Sequence, residues 1–299
     1  MDSKPNQHYV QQKYLEPWVK NGQILCLRLK KNIFPTNTRN VASERYFYSL
    51  NNLTDKDCNF IRKLILDKLE EPMKSLQGKW LEIFEKALHS PNLNLAINKN
   101  LKENMLKNVL EELYSNVENN GMPGLSKLQQ GDISAVTEGG YQNKFLLYLS
   151  FQYFRTKKIK EAVRKEIGDY ILYFDDFDAA FNLMAVIYSS LFSYYTGIQL
   201  QNNEMNVFLV ENNTSTSFIT GDQPVVNLLA NFSGATTELE LFYPLSPSRA
   251  LLITKDKDID VNCSLEKVRE YNNMIEYQSL SLIFANDESI LQQYKKCNK

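Results

Sequence analysis

Apolar positions recur along this chain with two periods, and the change between them divides it into three parts. Near the start, Leu25, Leu27 and Leu29 alternate with Cys26, Arg28 and Lys30. That is the period-two pattern of a half-buried strand, entered through the turn signal Asn21-Gly22 and left through a loop that Pro35 opens and that runs to about Asn40. From about residue 54 to 200 the period is helical. Thr54 stands where an N-cap hydroxyl accepts a backbone N–H, and Ile61, Leu64, Ile65 and Leu69 follow until Pro72 stops the run. Met73, Leu76, Trp80, Ile83, Phe84 and Ala87 mark a second helix that ends before Pro91. Leu101, Met105, Leu113 and Val117 mark a third, expected to end near Gly121. Pro123 and the glycines at 124, 131, 139 and 140 then predict a flexible loop from Gly121 to Gly140. Helices resume at Phe145 to Phe154 and in a long core segment closed by Gly197.

From Met205 the pattern turns to strands. Asn206 to Glu211, Thr216 to Thr220, Thr237 to Tyr243 and Arg249 to Thr254 are short runs rich in Val, Ile, Phe, Leu and Thr. Leu265, Val268, Asn272 and Ile275 mark a late helix, Ser279 to Ala285 a final strand, and Asp287 the cap of a last helix. The fold expected is α+β, with strands from the N- and C-terminal parts forming a sheet packed against the central helical block. We expect one domain, with the helical block at about 54–200 and a strand-rich part at about 205–299. No internal repeat interrupts it.

Composition narrows the partners. The stretch Ala179 to Asn203 carries no charge and has the length of a membrane span, but its interior holds Asn182, Ser189, Ser190, Ser193, Thr196 and Gln199 and no Lys or Arg flanks it. A central buried helix is expected, and no membrane partner. With 34 Lys+Arg against 35 Asp+Glu the net charge is −1, which excludes a strongly basic nucleic-acid wrapper while leaving room for a local basic groove. The polar N-terminus precedes no apolar run, so no secretory signal is expected. Cys26, Cys58, Cys263 and Cys297 lack the close spacing of a zinc site and read as reduced thiols of a cytoplasmic protein. His8 and His89 are the only histidines. Any metal would rest mainly on carboxylates, which suits magnesium or manganese.

Several residues have side chains suited to chemistry. His8 could serve as general acid or base, although a lone histidine is more often structural or solvated. Glu44 and Arg45 stand beside Tyr46, Phe47 and Tyr48, where an ion pair over an aromatic cluster is the plainer reading. Gln152 and Arg155, at i and i+3, project from one helical face. Arginine is scarce, eight against twenty-six lysines, and its planar fork suits phosphate or carboxylate. Asp222, at a strand end between Gly221 and the turn at Pro224, could hold a metal, orient a histidine or merely close an Asx turn. Asp175, Asp176 and Asp178 precede a helix, where stabilisation by its N-terminal dipole is the expected role. No phosphate-binding P-loop, dinucleotide fingerprint or nucleophile elbow is present, which disfavours the enzymes built on them.

These residues fall into a recognisable series. His8-Tyr9-Val10 with Gln12 and Tyr14-Leu15, then Asn40-Val41-Ala42-Ser43-Glu44-Arg45 with Phe47-Tyr48, resembles the bacterial and phage family catalogued as domain of unknown function 4238. Gln152 with Arg155-Thr156, Phe218-Ile219-Thr220-Gly221-Asp222 with Pro224, Tyr243-Pro244-Leu245-Ser246-Pro247 and Asn272 continue the match in order. Gln11 stands where the family often has Pro, and Gly221 where Ser often precedes the Asp. The resemblance supplies no reaction, but it selects His8, Glu44, Gln152, Arg155 and Asp222 from the candidates above. Two functions are carried forward. One is a phosphodiester hydrolase, a nuclease acting on nucleic acid as the toxic effector of a phage-defence or toxin system, with a partner protein of that system. There His8 is acid or base, Asp222 or Glu44 orients it or binds Mg²⁺, and Gln152, Arg155, Gln12 and Tyr14 contact substrate. The other is a non-catalytic binding or regulatory module in which a structural polar network surrounds His8.

Overall fold

The computed structural model describes residues 5–89, 99–230 and 238–295. The chain opens with β1 (Asn6–His8), α1 (Gln12–Leu15), β2 (Ile24–Arg28), β3 (Asn32–Thr36) and β4 (Ser43–Arg45). Helices follow: α2 (Asp55–Leu64), α3 (Met73–His89), α4 (Lys99–Gln129), α5 (Ser134–Thr137), α6 (Gly139–Phe154), α7 (Lys157–Ile167) and α8 (Phe177–Gln201). The last part holds β5 (Asn206–Glu211), β6 (Thr220–Gly221), β7 (Val226–Asn227), β8 (Leu241–Ser246), β9 (Arg249–Thr254), α9 (Leu265–Gln278), β10 (Leu282–Ala285) and α10 (Glu288–Gln292). The fold is α+β. Strands from both parts share a four-stranded antiparallel sheet, β3-β2-β10-β6, in which Cys26 faces Phe284 across the β2–β10 register. A second sheet, β5-β9-β8-β7, comes wholly from the later part, and β1 pairs with β4 as a short ribbon.

Both four-stranded sheets are apolar on both faces, and this decides the layering. Ile24 and Cys26 of β2, Phe284 of β10, and Tyr243 and Leu251 of the second sheet join the core beneath the helical block. Leu27, Ile283, Phe242 and Leu252, one residue along in each strand, join a smaller core covered by Val268, Tyr271 and Ile275 of α9 and Ile290 and Leu291 of α10. Tyr271 stacks on Phe242 at 4.2 Å.

Local signals explain several helix starts. Thr54 caps α2 in a reciprocal capping box with Asp57. Asp176 caps α8 by accepting from the Ala179 N–H, while Asp175 and Asp178 pair with Lys56 and Arg164. Asp287 caps α10. α8 is the buried core helix, and no helix among the described residues is long and apolar enough to cross a membrane. Cys26 and Cys58 are buried free thiols and Cys263 is partly covered. Cys297, Thr237 and Pro91 lie outside the described residues.

Two strand expectations shrink for one reason. Only Thr220 and Gly221 pair as a strand in the run from Thr216, because side chains satisfy the rest. The Ile219 N–H donates to Asn272 Oδ1, Asn272 Nδ2 donates to the Ser217 carbonyl, and Trp18 Nε1 donates to the Phe218 carbonyl. The final strand likewise starts at Leu282 rather than Ser279, since Leu280 and Ser281 turn around a carboxylate described below.

The expected break at Gly121 and the loop to Gly140 are corrected. α4 continues through Gly121, Pro123 and Gly124 to Gln129, and α6 starts at Gly139. The two glycines are contact residues, not caps. A Cβ on Gly121 would collide with the Tyr148 side chain, and one on Gly124 would lie 3.0 Å from Phe145 Cβ, so they let α4 and α6 cross closely. Pro123 forfeits one helical hydrogen bond, and the packing of α4 on α6 tolerates that loss. Gly121→Ala should therefore destabilise by about 1–3 kcal/mol through overpacking, against the gain its helix propensity alone implies. Urea denaturation of the two proteins measures the sign.

Candidate functional site

The first residues of the chain are tied down by the buried Gln7. Its Nε2 donates to the Lys107 carbonyl of α4 at 2.9 Å, and its Oε1 accepts from the Tyr48 N–H at 2.7 Å. Tyr48 returns a hydroxyl bond to the His8 carbonyl, and His8 lies opposite Ser43 in the β1–β4 ribbon. His8 is thereby fixed at the mouth of a cleft of about 350 Å³ lined by Gln12, Tyr114, Glu118, Asn119 and Arg155.

The imidazole has a defined tautomer. Nε2 lies 3.2 Å from the Arg39 carbonyl, which can only accept, so Nε2 carries the proton. Nδ1 faces the Gln12 amide at 3.3 Å and is the basic nitrogen. Burial lowers the His8 pKa, with Arg155 adding to that and the Arg39 carbonyl and Glu118 opposing it, so the ring is neutral at pH 7.

Arg155 caps the C-terminal end of α6 and its side chain is 1% exposed. Burial penalises the charge, and the Glu118 carboxylate, 2.6 Å from Nη2, offsets that penalty. The guanidinium also lies 5.4 Å over the Tyr114 ring. Several buried polar atoms here have no hydrogen-bond partner among the described residues: Arg155 Nε, Tyr114 Oη and both amide atoms of Gln152. Each such atom costs about 1–3 kcal/mol. Arg155 and Tyr114 line the cleft and Gln152 lies one turn behind Arg155, so this unsatisfied polarity is buried beside the cleft.

Of the expected site residues, the fold brings His8, Gln12 and Arg155 together. Gln152 is fully buried one turn before Arg155 and does not line the cleft. Glu44 is exposed, pairs with Lys157 and lines a separate depression with Lys160 and Arg164, so it does not orient His8. Tyr14 is a structural bolt rather than a substrate contact. Its hydroxyl bonds Thr220 Oγ1 at 2.7 Å and the Pro244 carbonyl at 2.9 Å.

Asp222 is likewise committed elsewhere. Its carboxylate accepts from the N–H groups of Leu280, Ser281 and Leu282 and from the Ser281 hydroxyl, clasping the α9–β10 turn against β6. Burial pushes its pKa up while these four donors pull it down. Among the described residues no group of three or more His, Cys, Asp or Glu side chains is placed to hold a metal ion. Tyr114 and Glu118 were missed although the expected third helix already contained them, because only its apolar positions were read. The polar positions Glu111, Ser115, Glu118 and Asn119, spaced along one face of that helix, were the available signal. Asp222→Ala strands one buried and two part-buried N–H groups and should cost about 3 kcal/mol, read as a lower melting temperature.

A family model described as "Protein of unknown function (DUF4238)" matches residues 6–289 of the chain. No curated protein and no solved structure matches it. The two departures from the family pattern have physical roles here: the Gln11 Oε1 accepts from the Tyr148 hydroxyl at 2.8 Å, and a Cβ on Gly221 would collide with Ser279 Oγ. With nearly its whole length matched, the ribbon, cleft and clasp included, the chain belongs to the DUF4238 family.

Proposed function

We propose that the His8–Arg155 cleft hydrolyses phosphodiesters, and that the protein is a nuclease serving as the toxic effector of a phage-defence or toxin system. The observation that carries this reading is a buried guanidinium with an unspent Nε beside a neutral imidazole of defined tautomer. A phosphoryl transition state needs a fixed cation for its developing negative charge and a base for its nucleophile. Arg155 fills the first role, its geometry held by Glu118. His8 fills the second: the Arg39 carbonyl holds Nε2–H, and Gln12 yields Nδ1 to the incoming proton.

A second reading, a binding module with His8 as a structural lock, is favoured by one observation. Both ring nitrogens of His8 already have partners within the chain. The two readings part on His8→Ala. Loss of a general base lowers turnover about 10²–10⁴-fold with little change in melting temperature, whereas loss of a lock costs about 1–3 kcal/mol of stability. Induced expression of wild type should degrade cellular nucleic acid and arrest growth, and His8→Ala should do neither. Equal growth of both strains with intact RNA and DNA would sink the nuclease reading.

The pH profile follows from the sign of the shift. A base acts while unprotonated, so activity falls as pH drops through its pKa. Burial depresses that value for His8, so the acid limb of kcat/KM should lie below the usual imidazole value of about 6.5. A limb above it would reassign the base.

A further inference from the structure

We infer that the nucleic acid cut in this cleft is RNA, and that the ribose 2′-hydroxyl is the nucleophile. This rests on the nuclease reading and extends it to a substrate class and a product. Among the described residues the cleft holds one imidazole, His8, whose Nδ1 is set to take a proton and touches a neutral amide, Gln12, while the carboxylates Glu111 and Glu118 lie on the α4 wall. The one carboxylate against Arg155, Glu118, is engaged with its Nη2 at 2.6 Å. Such a set activates a nucleophile that arrives in place. RNA brings one on every nucleotide, next to the phosphorus it attacks, and intramolecular reactions of that kind gain effective molarities of about 10⁵–10⁸ M.

The polar lining fits a hydroxyl as well as a phosphate. Gln12, Ser115 and Asn119 each carry both a donor and an acceptor at the cleft surface. A 2′-hydroxyl, itself donor and acceptor, is the group by which proteins separate RNA from DNA. Arg155 lines the cleft from just beneath its surface, and its charge attracts the non-bridging oxygens of the phosphate. Lys13, exposed on α1 at the same rim, adds a cation beside the flanking backbone.

The step balances within the substrate and solvent. The 2′-hydroxyl proton passes to His8 Nδ1, the 2′-oxygen forms a bond to phosphorus, and the bond from phosphorus to the 5′-oxygen breaks. The leaving oxygen takes a proton from water at the open mouth. The products are a 2′,3′-cyclic phosphate and a 5′-hydroxyl end, and His8 returns its proton to solvent.

The test uses the full-length protein with three oligonucleotides of one sequence: all RNA, all DNA, and DNA carrying a single ribonucleotide. Cleavage of the RNA, cleavage of the chimera only after its ribonucleotide, and cyclic-phosphate ends by mass spectrometry are expected. His8→Ala should lose about 10²–10⁴-fold of that rate, with an unchanged melting temperature showing that the fold survives. Cutting of the all-DNA strand, or linear 3′-hydroxyl and 5′-phosphate ends, would overturn the 2′-hydroxyl route while leaving a nuclease. Failure to cut any of the three would overturn both readings.

Discussion

Arg155 carries a charge that pH cannot remove, and its side chain is 1% exposed, so whatever surrounds it must answer a desolvation penalty of several kcal/mol. Much else in the molecule follows from that demand. The compensating carboxylate, Glu118, comes from α4, and it reaches Arg155 because α4 and α6 cross closely at Gly121 and Gly124. The N-terminal segment then closes the open side of the pair. Gln7 stitches it to α4, and Gln11 reaches Tyr148 on α6. The cleft is what remains uncovered, and the unspent polarity of Arg155, Tyr114 and Gln152 gathers about it.

A polar path continues from that point through the apolar interior. Tyr148 meets the Tyr243 hydroxyl at 3.2 Å, Tyr243 stacks on Tyr14 at 4.9 Å, and Tyr14 ends on Thr220 and Pro244. Burial pushes each of these phenols above the ordinary tyrosine range, so all three stay neutral donors. The segment that carries His8 is thus positioned from both the helical block and the sheets, which suits a side chain whose use depends on orientation.

The fold was legible wherever one local rule decided the outcome. Thr54, Asp176 and Asp287 cap their helices as their side chains require, and the period-two run at Leu25 forms β2. It failed where tertiary contact overrode local chemistry. Gly121 and Gly124 read as breakers but serve a helix crossing, and Ser217 to Ile219 read as a strand but bond to Asn272 and Trp18. The site was half legible for the same reason. His8, Gln12 and Arg155 are visible by residue type and do share the cleft, whereas Asp222 and Tyr14 have equally suggestive types and are taken up by backbone groups from distant parts of the chain. Residue type states what a side chain can do. Only its neighbours state whether that capacity is already used.

Because successive residues of β2, β8, β9 and β10 point into different cores, each sheet is a partition wall shared by two compartments. Slipping any strand by one residue would exchange the two apolar sets at once, so register is enforced from both sides. The same sharing couples the compartments during melting. The layer of α9 and α10 cannot dissolve without exposing one face of the strands on which the helical block stands, and the described parts of the chain should lose both cores in a single cooperative transition.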